Sequence, residues 1–288
     1  MMIPSSTRCK FLRMLNPDRF SIVSLLIACL GFSLLFGSLA HAQVNVEQSR
    51  GQVHEGFNLS LDGSMTLIRG NVSLSQTGVA TKLNYAKGVH SPFIQAILNY
   101  GEKDNKAFLN QSYLHARWTA MWLKSLGTEL FAQAQEDSFR SLVLRQLYGG
   151  GMRIEFLDHQ DRSLALGIGA MYEREVYQES QEVINMTSMD PQTILSEMIE
   201  NNLRLTNYIS AKSKLKWATQ IDVLFTLYYQ PRIDAFNDYR VLADLGVEIK
   251  LSKFLRVVES LSLMYDSEPP VGVKNTDLKS LSSLRFVF

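Results

Sequence analysis

The stretch Trp217–Gln230, "WATQIDVLFTLYYQ", reads with a period of two. Trp217, Thr219, Ile221, Val223, Phe225, Leu227 and Tyr229 fall on one face, and Ala218, Gln220, Asp222, Leu224, Thr226, Tyr228 and Gln230 on the other. Side chains alternate across a strand, so this pattern predicts β structure. "YRVLADLGVEIKL" (Tyr239–Leu251) repeats it, setting Tyr239, Val241, Ala243, Leu245, Val247, Ile249 and Leu251 against Arg240, Asp244, Glu248 and Lys250. Such runs exceed the roughly five or six residues usual for soluble strands. One apolar and one polar face over that length suit a barrel in lipid, which must close because an open edge would leave backbone groups unpaired in hydrocarbon. Trp217, Tyr229, Tyr239 and Phe288, at the ends of runs, are expected at the two membrane interfaces.

The same alternation, followed along the chain, predicts an all-β, transmembrane, antiparallel up-and-down barrel. About twelve strands are expected, near 55–68, 71–86, 92–102, 106–118, 122–135, 139–157, 162–176, 201–213, 217–230, 238–251, 255–266 and 276–288. With both termini periplasmic, connections after even-numbered strands should be short and those after odd-numbered strands longer. The longest connections, near 177–200, 231–237 and 267–275, all follow odd-numbered strands. Gly149–Gly151 interrupt the sixth run and predict a bulge or a close approach inside the barrel.

The amino end carries a positive region (Arg8, Lys10, Arg13, Arg19), an apolar run from Phe20 to Leu39, and "AHAQ". This is the pattern of a cleaved secretory signal over 1–42, with the cut between Ala42 and Gln43 and a barrel over 43–288. "LIAC" (Leu26–Cys29) also fits a lipoprotein signal, but the apolar run continues well past Cys29. Both cysteines, Cys9 and Cys29, lie in the leader, so the mature chain needs no disulfide or thiolate chemistry. Of 29 basic residues four lie in the leader, and of 28 acidic residues one does, leaving a net charge of −2. No basic excess points to nucleic acid.

The chain ends "SLRFVF" (Ser283–Phe288). Leu284, Phe286 and Phe288 should face lipid on the closing strand, which resembles the aromatic carboxyl-terminal signal of bacterial outer-membrane barrels. That resemblance implies outer-membrane lipids, periplasmic chaperones and the barrel assembly machinery as partners, and a bacterial outer-membrane location.

Three segments extend the likeness: "RGNVS" (Arg69–Ser73), "ELFAQAQEDSFRSLVLRQLYGGGMR" (Glu129–Arg153) and "NNLRLTNYIS" (Asn201–Ser210). Together they resemble the salt-induced outer membrane protein family, also called domain of unknown function 481. Members usually continue with Thr or Asn after "GN", where this chain has Val72. The resemblance implies an outer-membrane barrel and a possible tie to osmotic stress, and little about activity.

The polar faces place Glu129, Gln133, Gln135, Arg145, Arg153, Glu155, Glu173, Arg204, Lys212, Asp222, Arg240, Asp244, Glu248, Lys250 and Arg256 inside. Two roles are open to them: a lumen that filters solutes by charge, or a salt-bridged interior that fills a narrow barrel. A barrel hydrolase acting on lipid or peptide at the extracellular rim is the competing class, and it needs a nucleophile beside an oriented base. Of the four mature histidines, His90 and His159 fall in turns, His54 at the first strand, and His115 mid-strand beside Arg117. None has a partner that names a reaction, so no catalytic residue, metal or cofactor is assigned. Asp266, Glu268 and Asp277 offer oxygens for a cation without a fixed spacing. In the long connection 178–200, Asp190 and Pro191 suit a helix start, with Ile194, Leu195, Met198 and Ile199 on one face. A short helix in an external loop is therefore expected there.

Overall fold

The structure, a computed structural model, describes residues 55–68, 74–104, 106–138, 141–159, 161–184, 191–215, 220–269 and 274–288. The expected signal over 1–42, its cleavage site at Ala42–Gln43, and Trp217 lie outside the described residues. Twelve strands are present: β1 (Gly56–Ile68), β2 (Leu74–Ala86), β3 (Phe93–Lys103), β4 (Lys106–Leu123), β5 (Leu126–Asp137), β6 (Leu142–His159), β7 (Arg162–Ile184), β8 (Pro191–Lys214), β9 (Ile221–Pro231), β10 (Tyr239–Lys250), β11 (Leu255–Asp266) and β12 (Thr276–Val287). Each pairs antiparallel with its neighbours in sequence, and β1 pairs β12 to close the barrel. Closure removes sheet edges, the arrangement a strand needs in hydrocarbon.

Burial splits the strands as the period-two reading expects. Leu59, Leu61, Leu98, Leu114, Leu130, Ile168, Leu203 and Leu245 stand exposed on the outer wall, while Gln133, Arg145, Arg204 and Asp244 are buried inside. A protein that buries guanidinium groups and exposes leucines is turned inside out relative to a water-soluble fold, and lipid is the solvent that suits it.

The two rims differ. At the rim that holds both chain ends lie Phe57, Tyr85, Trp118, Trp122, Phe254 and Phe288, with His90 stacked on Trp118 at 5.6 Å. Tyr100, Tyr229, Tyr239 and Tyr265 lie near the opposite rim, the last three in a row with ring centroids 5.7 Å apart. Both sets are amphipathic rings at the height where an aromatic girdle forms.

Three expectations are corrected. No helix interrupts 178–200: β7 runs to Ile184 and β8 begins at Pro191, with register kept to Ile184↔Pro191. The connection shrinks to residues 185–190, and Asp190 lies outside the described residues. A short run with apolar residues three and four apart suits either period, and pairing with the extended β7 supplies cross-strand backbone hydrogen bonds that decide for strand. Beyond Tyr177↔Met198 these two strands continue past the register of β6, whose pairing with β7 ends at Leu142↔Tyr177, so the hairpin rises above the wall.

Gly149–Gly151 hold their register with both neighbours; the shifts fall instead at Gln135/Asp137, Leu142/Leu144 and Glu155/Leu157. These glycines serve close approach: a Cβ on Gly149 would meet the Phe131 ring at 2.4 Å, and one on Gly151 would meet the Ile168 carbonyl at 2.3 Å. Finally, β4 continues to Leu123 rather than stopping near 118.

Candidate functional site: the barrel lumen

Every residue expected to line the interior does so, and the charges gather in three clusters. The first lies towards the tyrosine rim. Glu173, fully buried on β7, accepts from Arg145 Nε (2.9 Å), Arg204 Nε (2.7 Å) and Arg240 Nη1 (2.5 Å), side chains of β6, β8 and β10. The same arginines reach outward to Glu175 (3.2 Å from Arg145, 3.1 Å from Arg240), Asp266 (2.8 Å from Arg240) and Asp238 (2.9 Å from Arg204). Arg232 extends the chain to Asp238 at 3.2 Å and to Asp234 at 2.8 Å in the β9–β10 connection. Charges this deep persist only when each is matched, because one left alone costs several kcal/mol.

The second cluster is mid-barrel. Tyr208 on β8 donates to Glu129 (2.6 Å) and accepts from Arg153 (2.8 Å), which also pairs with Glu155 at 3.0 Å. Arg117 completes it, 3.5 Å from Glu129. The Tyr208 ring occupies the space that a side chain at Gly167 would take, where a Cβ would lie 2.0 Å from it. Glycine in β7 is thus the condition for a tyrosine lying flat on the inner wall.

The third cluster lies towards the rim with the termini. Arg285 on β12 grips Asp62 of β1 with two bonds, 2.7 and 2.8 Å, and gives a third to Glu248 at 2.8 Å. Arg256 meets the same glutamate at 2.5 Å, and Asp222 stands between Lys212 (3.6 Å) and Lys250 (3.4 Å). The fork from Arg285 to Asp62 spans the closing seam, where the ladder runs from Ser60↔Val287 to Gly63↔Leu284.

The rest of the lumen is of another kind. A cavity of about 150 Å³ lies along β1–β4 and β11–β12, lined by Ser64, Gln95, Asn99, Gln111, Tyr113, Ser260, Ser262 and Ser283, with Asp244 and Lys279 among the charged groups at its wall. Asn99 donates to Gln111 (3.3 Å), which donates to Asp137 (2.7 Å), and Ser262 bonds Asp244. A single water needs roughly 10–15 Å³ on this measure, so the cavity has room for a small solute.

The histidines do not form a reactive pair. His115 is buried among the rings of Phe93, Tyr113 and Phe131, with Nδ1 3.2 Å from Gln133. His90 lies in the β2–β3 connection and His159 at the end of β6, while His54 lies outside the described residues. Asp266 is engaged by Arg240, and no group of three metal-binding side chains occurs among the described residues.

Sequence reading missed Asp62, Glu175, Asp238, Lys279 and Arg285. Lys279 and Arg285 were within reach, since "KSLSSLRFVF" puts them opposite the lipid-facing Leu284 and Phe286. Asp238 lies just outside a strand, where no alternation could flag it.

A family profile described as "Protein of unknown function, DUF481" matches residues 62–288. The chain belongs to the DUF481 family. The match starts within β1 and runs to the end of β12, taking in the three charge clusters and the cavity. No curated protein matches this DUF481 chain in sequence. Among solved structures it is similar to the NanC porin (9% identity, covering 80% of this chain and 97% of that one, TM-score 0.40). The KdgM porin is alike at 10% identity, 80% and 96% coverage and TM-score 0.39. A bacterial polysaccharide outer membrane secretin shares 8% identity over 82% and 99% of the two chains, with TM-score 0.42. At this distance the likeness is one of barrel architecture.

Proposed function

We propose that this protein is a non-enzymatic outer-membrane barrel that serves as a narrow channel for small polar solutes. The cavity along β1–β4 and β11–β12 carries the reading, because it is a polar space beside a wall whose charges are otherwise satisfied by one another. The apolar belt and two aromatic rims support residence in an outer membrane. Phe288, on the rim with both termini, supports periplasmic ends and delivery by chaperones to the assembly machinery through Leu284, Phe286 and Phe288. Hydrolysis is disfavoured because His115 meets aromatic rings and an amide rather than a hydroxyl nucleophile and a carboxylate.

Single-channel recording in a planar bilayer tests this. Defined conductance steps that shrink when Ser262→Phe fills the cavity are the expected result. A heat-modifiable, inserted barrel that stays electrically silent overturns conduction and leaves a structural role in the envelope.

A further inference from the structure

Charges on the lumen wall are almost all spent on each other, and Lys279 differs. The other inward arginines and lysines of the described strands lie within salt-bridge distance of a carboxylate or, for Lys82, over the Phe93 ring at 5.0 Å. Lys279, on β12 at the cavity wall, has no such carboxylate or ring contact among the described residues. The carboxylates that act on it through space are Asp137 and Asp244, one on each side of the hollow. Both are held by neutral donors, Gln111 and Ser262, which orient them without cancelling their charge. Arg285, the other cation at this cavity, is occupied by Asp62 and Glu248.

We propose that Lys279 is the selectivity-determining residue of the cavity: its ammonium is the counter-charge to Asp137 and Asp244 and keeps the hollow half of the lumen from collecting cations. Without it two carboxylates face a polar, hydroxyl-lined space with no basic group free to balance them, which is a site for a small hard cation. With it the space suits neutral or weakly anionic solutes. This rests on the channel reading for its transport consequence, though not for its equilibrium one.

Two measurements on protein extracted in detergent from cell membranes separate them. In bilayers under a potassium chloride gradient, Lys279→Gln should raise the ratio of potassium to chloride permeability roughly tenfold, the order expected for one unit charge lost a few ångströms from a permeant ion. Lys279→Arg should keep the wild-type ratio, and Asp244→Asn should shift it towards chloride. Independently, terbium luminescence sensitised by Tyr113 should rise in Lys279→Gln and stay at the wild-type level in Lys279→Arg. Unchanged permeability ratios in conducting Lys279→Gln and Asp244→Asn overturn the proposal. Electrical silence with the terbium difference intact defeats the channel reading and leaves the charge role standing. Silence with no terbium difference defeats both. Should Lys279→Gln fail to fold, Asp244→Asn decides alone, since an unshifted ratio or, in a silent barrel, unchanged terbium binding overturns the assignment.

Discussion

The two halves of the lumen solve the same problem differently. Along β5–β10 the inner wall carries Arg145, Arg153, Glu173, Arg204, Tyr208, Arg240 and their partners, and these fill the space with matched charge. Along β1–β4 and β11–β12 it carries mainly serine, asparagine, glutamine and glycine, and a cavity remains. Strand count fixes the circumference of the barrel, but the volume of the inward side chains decides where it is open. The contrast also separates two uses of charge, since Glu173 holds strands together whereas Lys279 faces a space.

Breaking the packed half should have the largest effect. Glu173→Ala leaves Arg145, Arg204 and Arg240 without their common partner, a loss of about 3–5 kcal/mol, read as a lower urea midpoint or loss of heat-modifiable mobility. Gly167→Val should follow at about 1–3 kcal/mol, the usual range for overpacking, because its side chain displaces Tyr208 from Glu129 and Arg153. The hollow half should behave in the opposite way. Ser262→Phe is expected to change stability by less than about 1.5 kcal/mol, since it enters empty space, while lowering conductance several-fold. A stability loss as large as that of Glu173→Ala would show that the two halves are packed alike.

The smallest effect belongs to the rim. In the β9–β10 connection the hydrogen bond from Arg232 is the main cause holding the Asp234 carboxyl down at about 2, against a usual 3.8. A depressed carboxylate contributes stability that is present above the unfolded value and fades as pH falls through the folded one, here from about 3.8 to 2. The pair is exposed and screened, so Arg232→Gln should move the Asp234 titration seen by NMR back towards its usual value and leave the unfolding midpoint unchanged.

Strand number and the inward or outward sense of each strand were legible because lipid imposes a period of two on every wall residue. Asp222, Arg240, Asp244 and Glu248 fall inside for the same reason that Tyr229, Leu245 and Phe286 fall outside. The 178–200 segment misled because its apolar spacing satisfies a helix and a strand alike, and only pairing with the extended β7 separates them. Which inward charges meet was not legible at all. Arg285 and Asp62 are 223 residues apart and Tyr208 and Glu129 are 79 apart, brought together by closure and by tilt across the lumen. Alternation is a local property of the chain and reports solvent on each face. Partnership, and the space left where no bulky partner stands, depends on the height and angle of every strand at once, which only the closed barrel defines.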